Sequence, residues 1–375
     1  MRKTNNILVR NKLGPLLVAL LAVYLVKADL PALAYFSASC FAVIFVLRIS
    51  CLRFETNELG FAVTLLSFIV YLLLSGGAYD SRTFAFALNL ACSLIVLLCL
   101  LTFNRKTDWL RFSKDVFFLF VILAIFDTYY KFAFPLVFDA NIIVERDFYE
   151  IGFYQYKGSF FYKDSNGLAY LLIPVVALGF EVRKLMMSRG LPVSKSLWFI
   201  LCCLPTALVI LTFSRAAMVT ALLLDLLYIL RIRAVVIVLT GLGALFAKVI
   251  YGYVENDLSG GTKLDEITAV YSYYKYNKMV DLLFGMGFGN GDAWTGRYIH
   301  GALQKIFLEL GILGLSIYLC ALFFILRIRG CWRALVGLLL MGFSSNFYFL
   351  PAFVVSVLFL IGRLNASTKR NVEIV

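Results

Sequence analysis

The chain has 375 residues, a formal net charge of +13, 62% hydrophobic residues, 15% charged residues and a mean hydropathy of +0.89. Ordinary soluble domains carry roughly 25% charged residues, so a soluble fold is excluded. The basic excess falls in short clusters between apolar runs, a pattern of membrane topology and not of nucleic-acid binding.

A helix needs about 20 mostly apolar residues to cross a hydrocarbon core, and such runs repeat from Leu13 to Leu364. The sequence therefore predicts an all-α, polytopic integral membrane protein forming one transmembrane domain, 1–375. Arg2, Lys3, Arg10 and Lys12 precede Leu13–Val26 like the start of a secretory leader, and Val26-Lys27-Ala28 resembles a cleavage site. We read this segment as an uncleaved first span, because the apolar segments that follow need no removable leader. Spans are expected near 13–28, 30–48, 59–77, 82–103, 115–135, 165–182, 196–213, 215–231, 234–252, 301–326, 332–348 and 351–364. That is about twelve helices.

With the N-terminus inside, the clusters Arg105/Lys106/Arg111/Lys114, Arg183/Lys184/Arg189/Lys195 and Arg327/Arg329/Arg333 all fall on the cytoplasmic side, as do both termini. The cytoplasmic connections are short and hold neither a G-x-x-x-x-G-K-[ST] loop nor a D-x-D pair, which disfavours ATP-driven transport and direct use of nucleotide sugars. The longer connections, 138–163 and 253–299, lie outside. In the second, Thr262 with Asp265 offers an N-cap, and Ile267, Val270, Tyr271 and Tyr274 share helical spacing, predicting an interfacial helix. Its tyrosines suit either an aromatic belt at headgroup level or stacking on sugars.

Eight cysteines (Cys40, Cys51, Cys92, Cys99, Cys202, Cys203, Cys320 and Cys331) lie in or beside apolar runs without C-x-x-C spacing and read as small buried hydrophobes, not metal ligands or disulfides. Polar groups at membrane depth are costly and each is a candidate for function. Asp127 and Lys131 have ion-pair spacing on one helix face, and Asp225 lies about 15 Å deeper than Arg215 on the same helix, which assigns it to packing.

Arg215 itself sits where two spans meet at the outer surface, either snorkelling or offering a planar fork of donors to a phosphate. His300, the only histidine, opens a late helix with Gln304 on its face; Glu309 falls on the opposite side and pairs with Lys305. The run Gly285-Met286-Gly287-Phe288-Gly289-Asn290-Gly291 follows no strand, so it is no dinucleotide fingerprint; it suits a tight turn with N–H groups aimed at an anion.

Four segments, GSFFYKDSNGLAY at 158–170, LTFSRAAM at 211–218, LLFGMGFGN at 282–290 and IHGALQKIFLELGILGL at 299–315, resemble the Wzy-type O-antigen polymerase and O-antigen ligase superfamily in order, spacing and placement at outer membrane edges. The resemblance covers roughly the second half of the chain. It implies a GT-C-like glycosyltransferase of the bacterial inner membrane, acting at the periplasmic face on a glycan carried by undecaprenyl pyrophosphate. No metal or nucleotide cofactor is then required. It further implies membrane lipids as surroundings, a chain-length regulator and a flippase of the same pathway as partners, and no nucleic acid. By the same resemblance His300 is the catalytic base, Arg215 binds pyrophosphate, and Asp164 with Asn166 match a D-x-N segment.

Two positions depart from the pattern. An arginine common before the interfacial helix is replaced by Gly260-Gly261-Thr262-Lys263, and the proline of the D-P-N segment is Ser165. Arg297 or Lys263 is the substitute for the missing cation. The modest loops lean toward polymerase, with a ligase as the alternative. A flippase or secondary transporter, or a non-catalytic assembly partner, are the readings from other classes.

Overall fold

The computed structural model describes residues 14–23, 31–52, 55–75, 81–103, 108–136, 155–161, 165–230, 234–235, 237, 268–276, 278–291, 299, 301–328, 330–342 and 351–372. Among them every regular element is helical. In chain order these are α1 (14–22), α2 (Pro31–Arg48), α3 (Thr56–Ser75), α4 (Ser81–Leu101), α5 (Trp109–Ala133), α6 (Ser165–Ser188), α7 (Lys195–Trp198), a π turn (Phe199–Cys203), α8 (Leu204–Ile210), α9 (Arg215–Ile229), α10 (268–276), α11 (Met279–Phe284), α12 (Ala302–Arg327), α13 (Cys331–Gly342) and α14 (Ala352–Val372). Five stretches, Ala32–Cys51, Thr56–Ser75, Thr83–Leu101, Trp109–Ala133 and Ala302–Arg327, are long and apolar enough to cross a membrane; Lys195–Ile210, Cys331–Gly342 and Ala352–Ser367 are shorter apolar helices. The expected span at 234–252 lies almost wholly outside the described residues.

α3 illustrates the packing logic. Phe61, Leu65, Phe68 and Leu72 form a buried stripe, while Val63, Leu66, Val70 and Leu74 form an exposed one that is equally apolar. A helix apolar on both sides faces protein on one and hydrocarbon on the other. α6, by contrast, is enclosed almost all round, packed by α5, α8, α9, α13 and α14. Gly179 lets the carbonyl of Leu201, in the π turn, approach its backbone more closely than any side chain would allow. Pro174 lies mid-helix and forfeits one backbone bond, which an enclosing bundle tolerates.

Helix direction alternates, and the ends are chemically different. At one end Arg363 of α14 reaches Glu58 (2.7 Å) and Glu55 (3.4 Å) at the start of α3, and Glu181 of α6 meets Lys184 (3.4 Å) and Arg333 of α13 (3.8 Å). Lys184 also donates to Asn365 (2.9 Å), and Asn57 donates to the Arg327 carbonyl closing α12 (3.2 Å). These contacts extend helices beyond their expected limits: α6 runs past 182 to Ser188 because Lys184 is paired, and α14 runs past 364. α5 starts at Trp109 rather than near 115, capped by Asp108, which accepts from the Arg111 N–H.

Cys92, Cys99, Cys202 and Cys331 are buried as expected, and none of the eight cysteines forms a disulfide. Cys51 and Cys320 are exposed instead, because each lies on an outward face of its helical segment.

Candidate functional site

At the end opposite the ion pairs, α8 stops and α9 begins within the turn Leu211-Thr212-Phe213-Ser214. Thr212 Oγ1 donates to the Val209 carbonyl (2.7 Å) and accepts from Ser214 N–H (3.3 Å), reversing the chain. Phe213 has φ +56, the one non-glycine residue with positive φ among those described. A left-handed aromatic residue costs about 1–2 kcal/mol and persists only where surroundings hold it. Here Tyr156 stacks on its ring (5.7 Å, 28°), Phe132 meets it edge-on (6.0 Å, 71°), and Lys131 Nζ lies 5.9 Å from its centre.

This turn delivers Arg215 to the first position of α9. A helix N-terminus already carries roughly half a positive charge, and its first N–H groups lack intrahelical acceptors. A guanidinium added there is locally unfavourable for the helix and favourable for a bound anion. Ser214 is buried and makes no side-chain cap, so the end is not closed by its own N-cap residue. Asp225, deeper on α9, accepts from Thr206 Oγ1 of α8 (3.0 Å), the packing role expected of it.

α6 begins beside the same turn. Ser165 N–H donates to the Lys157 carbonyl (3.0 Å), so the chain before α6 doubles back on the helix start, and Tyr156, the neighbour of Lys157, carries the ring that stacks on Phe213. Ser165 is fully buried with its Oγ unpaired, and Asn166 is half-buried in the first turn. The site residues Asn166 and Arg215 therefore stand on two helix starts tethered through one ring pair.

Gln304 stands on a third start, that of α12. Tyr170 of α6, Ala302 and Leu303 at the start of α12, and Tyr318 and Leu322 farther along α12 line one small internal void. At about 10 Å³ the void holds no more than one water, so it is not a substrate cavity. Gln304 folds back over Gly301, and its Oε1 is buried without a hydrogen-bond partner. Lys305 and Glu309 form the expected pair at 3.7 Å, with Glu309 turned toward Gly291. His300, Arg297, Lys263 and Asp164 lie outside the described residues, as do Thr262, Asp265 and Ile267 of the interfacial helix.

The glycine run is a correction to its expected anion-binding role. Met286 N–H donates to the Leu308 carbonyl and Gly287 N–H to the Glu309 carbonyl, both at 3.0 Å. Those carbonyls are available because α12 is broken at Gly311 (φ 66, ψ −168), and Tyr71 Oη of α3 donates to the carbonyls of Leu310 (2.8 Å) and Phe284 (3.2 Å). The loop thus satisfies backbone acceptors that the break exposes.

In α10, Tyr271 and Tyr274 are exposed as an interfacial role requires. Tyr273, outside the expected apolar set, is the one buried, and its Oη donates to the Asp281 carbonyl (2.8 Å). Burial, with the Asp281 charge beside it, raises the pKa of this phenol, keeping it a donor.

A second correction concerns Asp127 and Lys131, read from spacing as an ion pair. Asp127 Oδ1 accepts from Ser159 Oγ (2.7 Å) and from the N–H groups of Phe160 (2.8 Å) and Phe161 (3.3 Å), while Lys131 Nζ donates to the Leu211 carbonyl (3.1 Å). Helical spacing places the two side chains on one face but says nothing about tertiary partners, which here win.

These features define an all-helical membrane protein in which the starts of α6 and α9 are tethered at the end away from the Glu181 and Arg363 ion pairs. No protein-family model matches the chain, and no curated protein matches it.

Proposed function

We propose that the chain is a polysaccharide polymerase of the Wzy kind. It transfers a glycan from undecaprenyl pyrophosphate onto a hydroxyl of another lipid-linked repeat at the periplasmic face of the bacterial inner membrane. The observation that carries this reading is Arg215 at the first position of α9, with the start of α6 tethered beside it through Tyr156 and Phe213. Two helix starts and a guanidinium suit a pyrophosphate.

The acceptor oxygen attacks the anomeric carbon, the bond from that carbon to the phosphate oxygen breaks, and the acceptor proton passes to His300. Negative charge then builds on the leaving pyrophosphate, where Arg215 and either Arg297 or Lys263 stabilise it. Asn166 at the start of α6, with Asp164 two residues before it in sequence, contributes further polar groups to the donor in this reading. Gln304 offers a spare acceptor close in sequence to His300, suited to orienting the imidazole or a sugar hydroxyl. About twelve spans with both termini in the cytoplasm fit the gathering of Lys184, Arg333 and Arg363 at the other end.

An O-antigen ligase would use the same donor chemistry with lipid A-core as acceptor. A transporter gains one supporting feature, the broken helix α12. Its exposed carbonyls, however, are taken by Met286, Gly287 and Tyr71 rather than turned toward a permeating ion. Deletion followed by analysis of surface polysaccharide separates these readings. Loss of long chains with one repeat retained supports a polymerase. Accumulation of lipid-linked chains with bare lipid A-core indicates a ligase, and repeats trapped in the inner leaflet indicate a flippase.

A further inference from the structure

We infer that Asp127 and Lys131, one turn apart on α5, are positioning residues that set the two halves of the donor site separately. The inference rests on the function proposed above. Both side chains are buried, at 0% and 1% exposure, in a helix long and apolar enough to span the membrane. Opposite charges at that spacing would relieve their burial by pairing if cohesion were their only role.

Asp127 instead gathers three donors from 159–161, the segment running into Asp164, Ser165 and Asn166 at the start of α6. Lys131 holds the Leu211 carbonyl and lies against the Phe213 ring, in the turn running into Ser214 and Arg215. Phe132, next to Lys131 in sequence, touches both Tyr156 (5.1 Å) and Phe213 (6.0 Å) and so links the two segments. One turn of α5 thereby sets where Asn166 and Arg215 stand relative to each other.

Lys131 acts through Arg215 in this scheme, and a double-mutant cycle tests that route. The full chain is purified in nanodiscs, and two quantities are read: binding of undecaprenyl pyrophosphate alone, and turnover of a synthetic lipid-linked repeat. Lys131→Met keeps the apolar stem and removes the donor to the Leu211 carbonyl, and its unfolding midpoint is read alongside so that loss of fold is told from loss of positioning. KM for the lipid-linked donor should rise roughly tenfold to a hundredfold, the cost of a misplaced contact group. Adding Lys131→Met to Arg215→Ala should cost nothing further, and Asp127→Asn, which keeps an acceptor, should retain more activity than Asp127→Ala.

Additive losses in the double variant would show that Lys131 does not work through Arg215, and would overturn the inference while leaving the proposed function intact. Native protein that neither binds undecaprenyl pyrophosphate nor turns over the repeat overturns both. Should Lys131→Met not fold, Lys131→Gln, which retains a donor for the Leu211 carbonyl, should keep KM for the lipid-linked donor near native, and a KM raised roughly tenfold or more in a folded Lys131→Gln protein would overturn the inference.

Discussion

Gly311→Ala is the sharpest structural test. At φ 66 and ψ −168 this residue occupies a backbone region open essentially to glycine, and a Cβ there would run into the Leu283 carbonyl and the Gly285 backbone nitrogen. The conformation alone costs an alanine about 1–3 kcal/mol. Relieving the clash requires the loop at 285–287 to move off α12, which breaks the bonds from Met286 and Gly287, each worth about 1 kcal/mol. Those bonds are lost on undocking in either background, so the shift toward the undocked loop is set by the strain added to the docked state, about 1–3 kcal/mol or roughly tenfold to a hundredfold.

An accessibility assay reads this directly. With the exposed Cys51 and Cys320 replaced by serine, a cysteine installed at Met286 should react with an impermeant thiol reagent roughly tenfold to a hundredfold faster in the Gly311→Ala background. Gly342→Ala, whose added Cβ meets only the Ala302 side chain at 3.4 Å, serves as the control. Equal labelling rates in the two backgrounds would falsify the docking of this loop on the helix break.

Arg215→Lys should lose most polymerising activity at matched protein level although charge is kept, because an ammonium cannot reproduce the planar fork; near-native polymer would return the residue to a snorkelling role. A cysteine placed in 253–299 should label from outside intact spheroplasts and one in 183–195 should not, so the reverse pattern would refute the orientation. Glu309→Ala should destabilise the folded protein by up to about 3–5 kcal/mol, because it removes the carboxylate 3.7 Å from the buried Lys305, with Lys305→Met/Glu309→Gln milder; equal unfolding midpoints for the two would show that the pair carries no such weight. His300→Ala should leave a folded protein that accumulates single repeats, and native turnover should fall as the imidazole is protonated at low pH, since the protonated ring cannot accept a proton. Turnover of the alanine variant at the native rate would move the base to another group.

Helix placement was legible in the sequence because hydrocarbon length imposes a coarse rule that any apolar run reveals. α2, α3, α4 and α12 begin within a few residues of the limits expected from hydropathy alone. Errors cluster where charge decides, as at Asp108 and Lys184, whose pairing lengthens helices that hydropathy would end. Local pairing was legible for Lys305 with Glu309, since both partners sit on one regular helix. It was misleading for Asp127 and Lys131, whose partners lie about 30 and 80 residues away in sequence and are set by packing that no periodicity encodes. The left-handed Phe213 had no signal at all: nothing about a phenylalanine announces positive φ, and the strain becomes visible only with Tyr156 and Phe132 in place. The glycine run did announce a special turn, but not what its N–H groups would bind.

The two ends of the bundle hold together by different means, and the difference bears on what each can do. Around Glu181, Arg333, Arg363 and Glu58, cohesion comes from charge, and each cation there has its field largely cancelled by an adjacent carboxylate. Around Phe213, cohesion comes from stacked rings and backbone hydrogen bonds, which fix geometry without adding fixed charge. The two ionisable groups that α5 contributes there, Asp127 and Lys131, are opposite in sign and cancel in sum. The field at the starts of α6 and α9 then comes chiefly from helix dipoles and from groups at the helix starts themselves. An anion arriving there meets a geometry already set, so little of its binding energy goes into ordering the protein. Rings at this end can therefore be exchanged for other rings with little electrostatic consequence, whereas a carboxylate introduced beside Phe213 would weaken binding of the pyrophosphate that the proposed function requires.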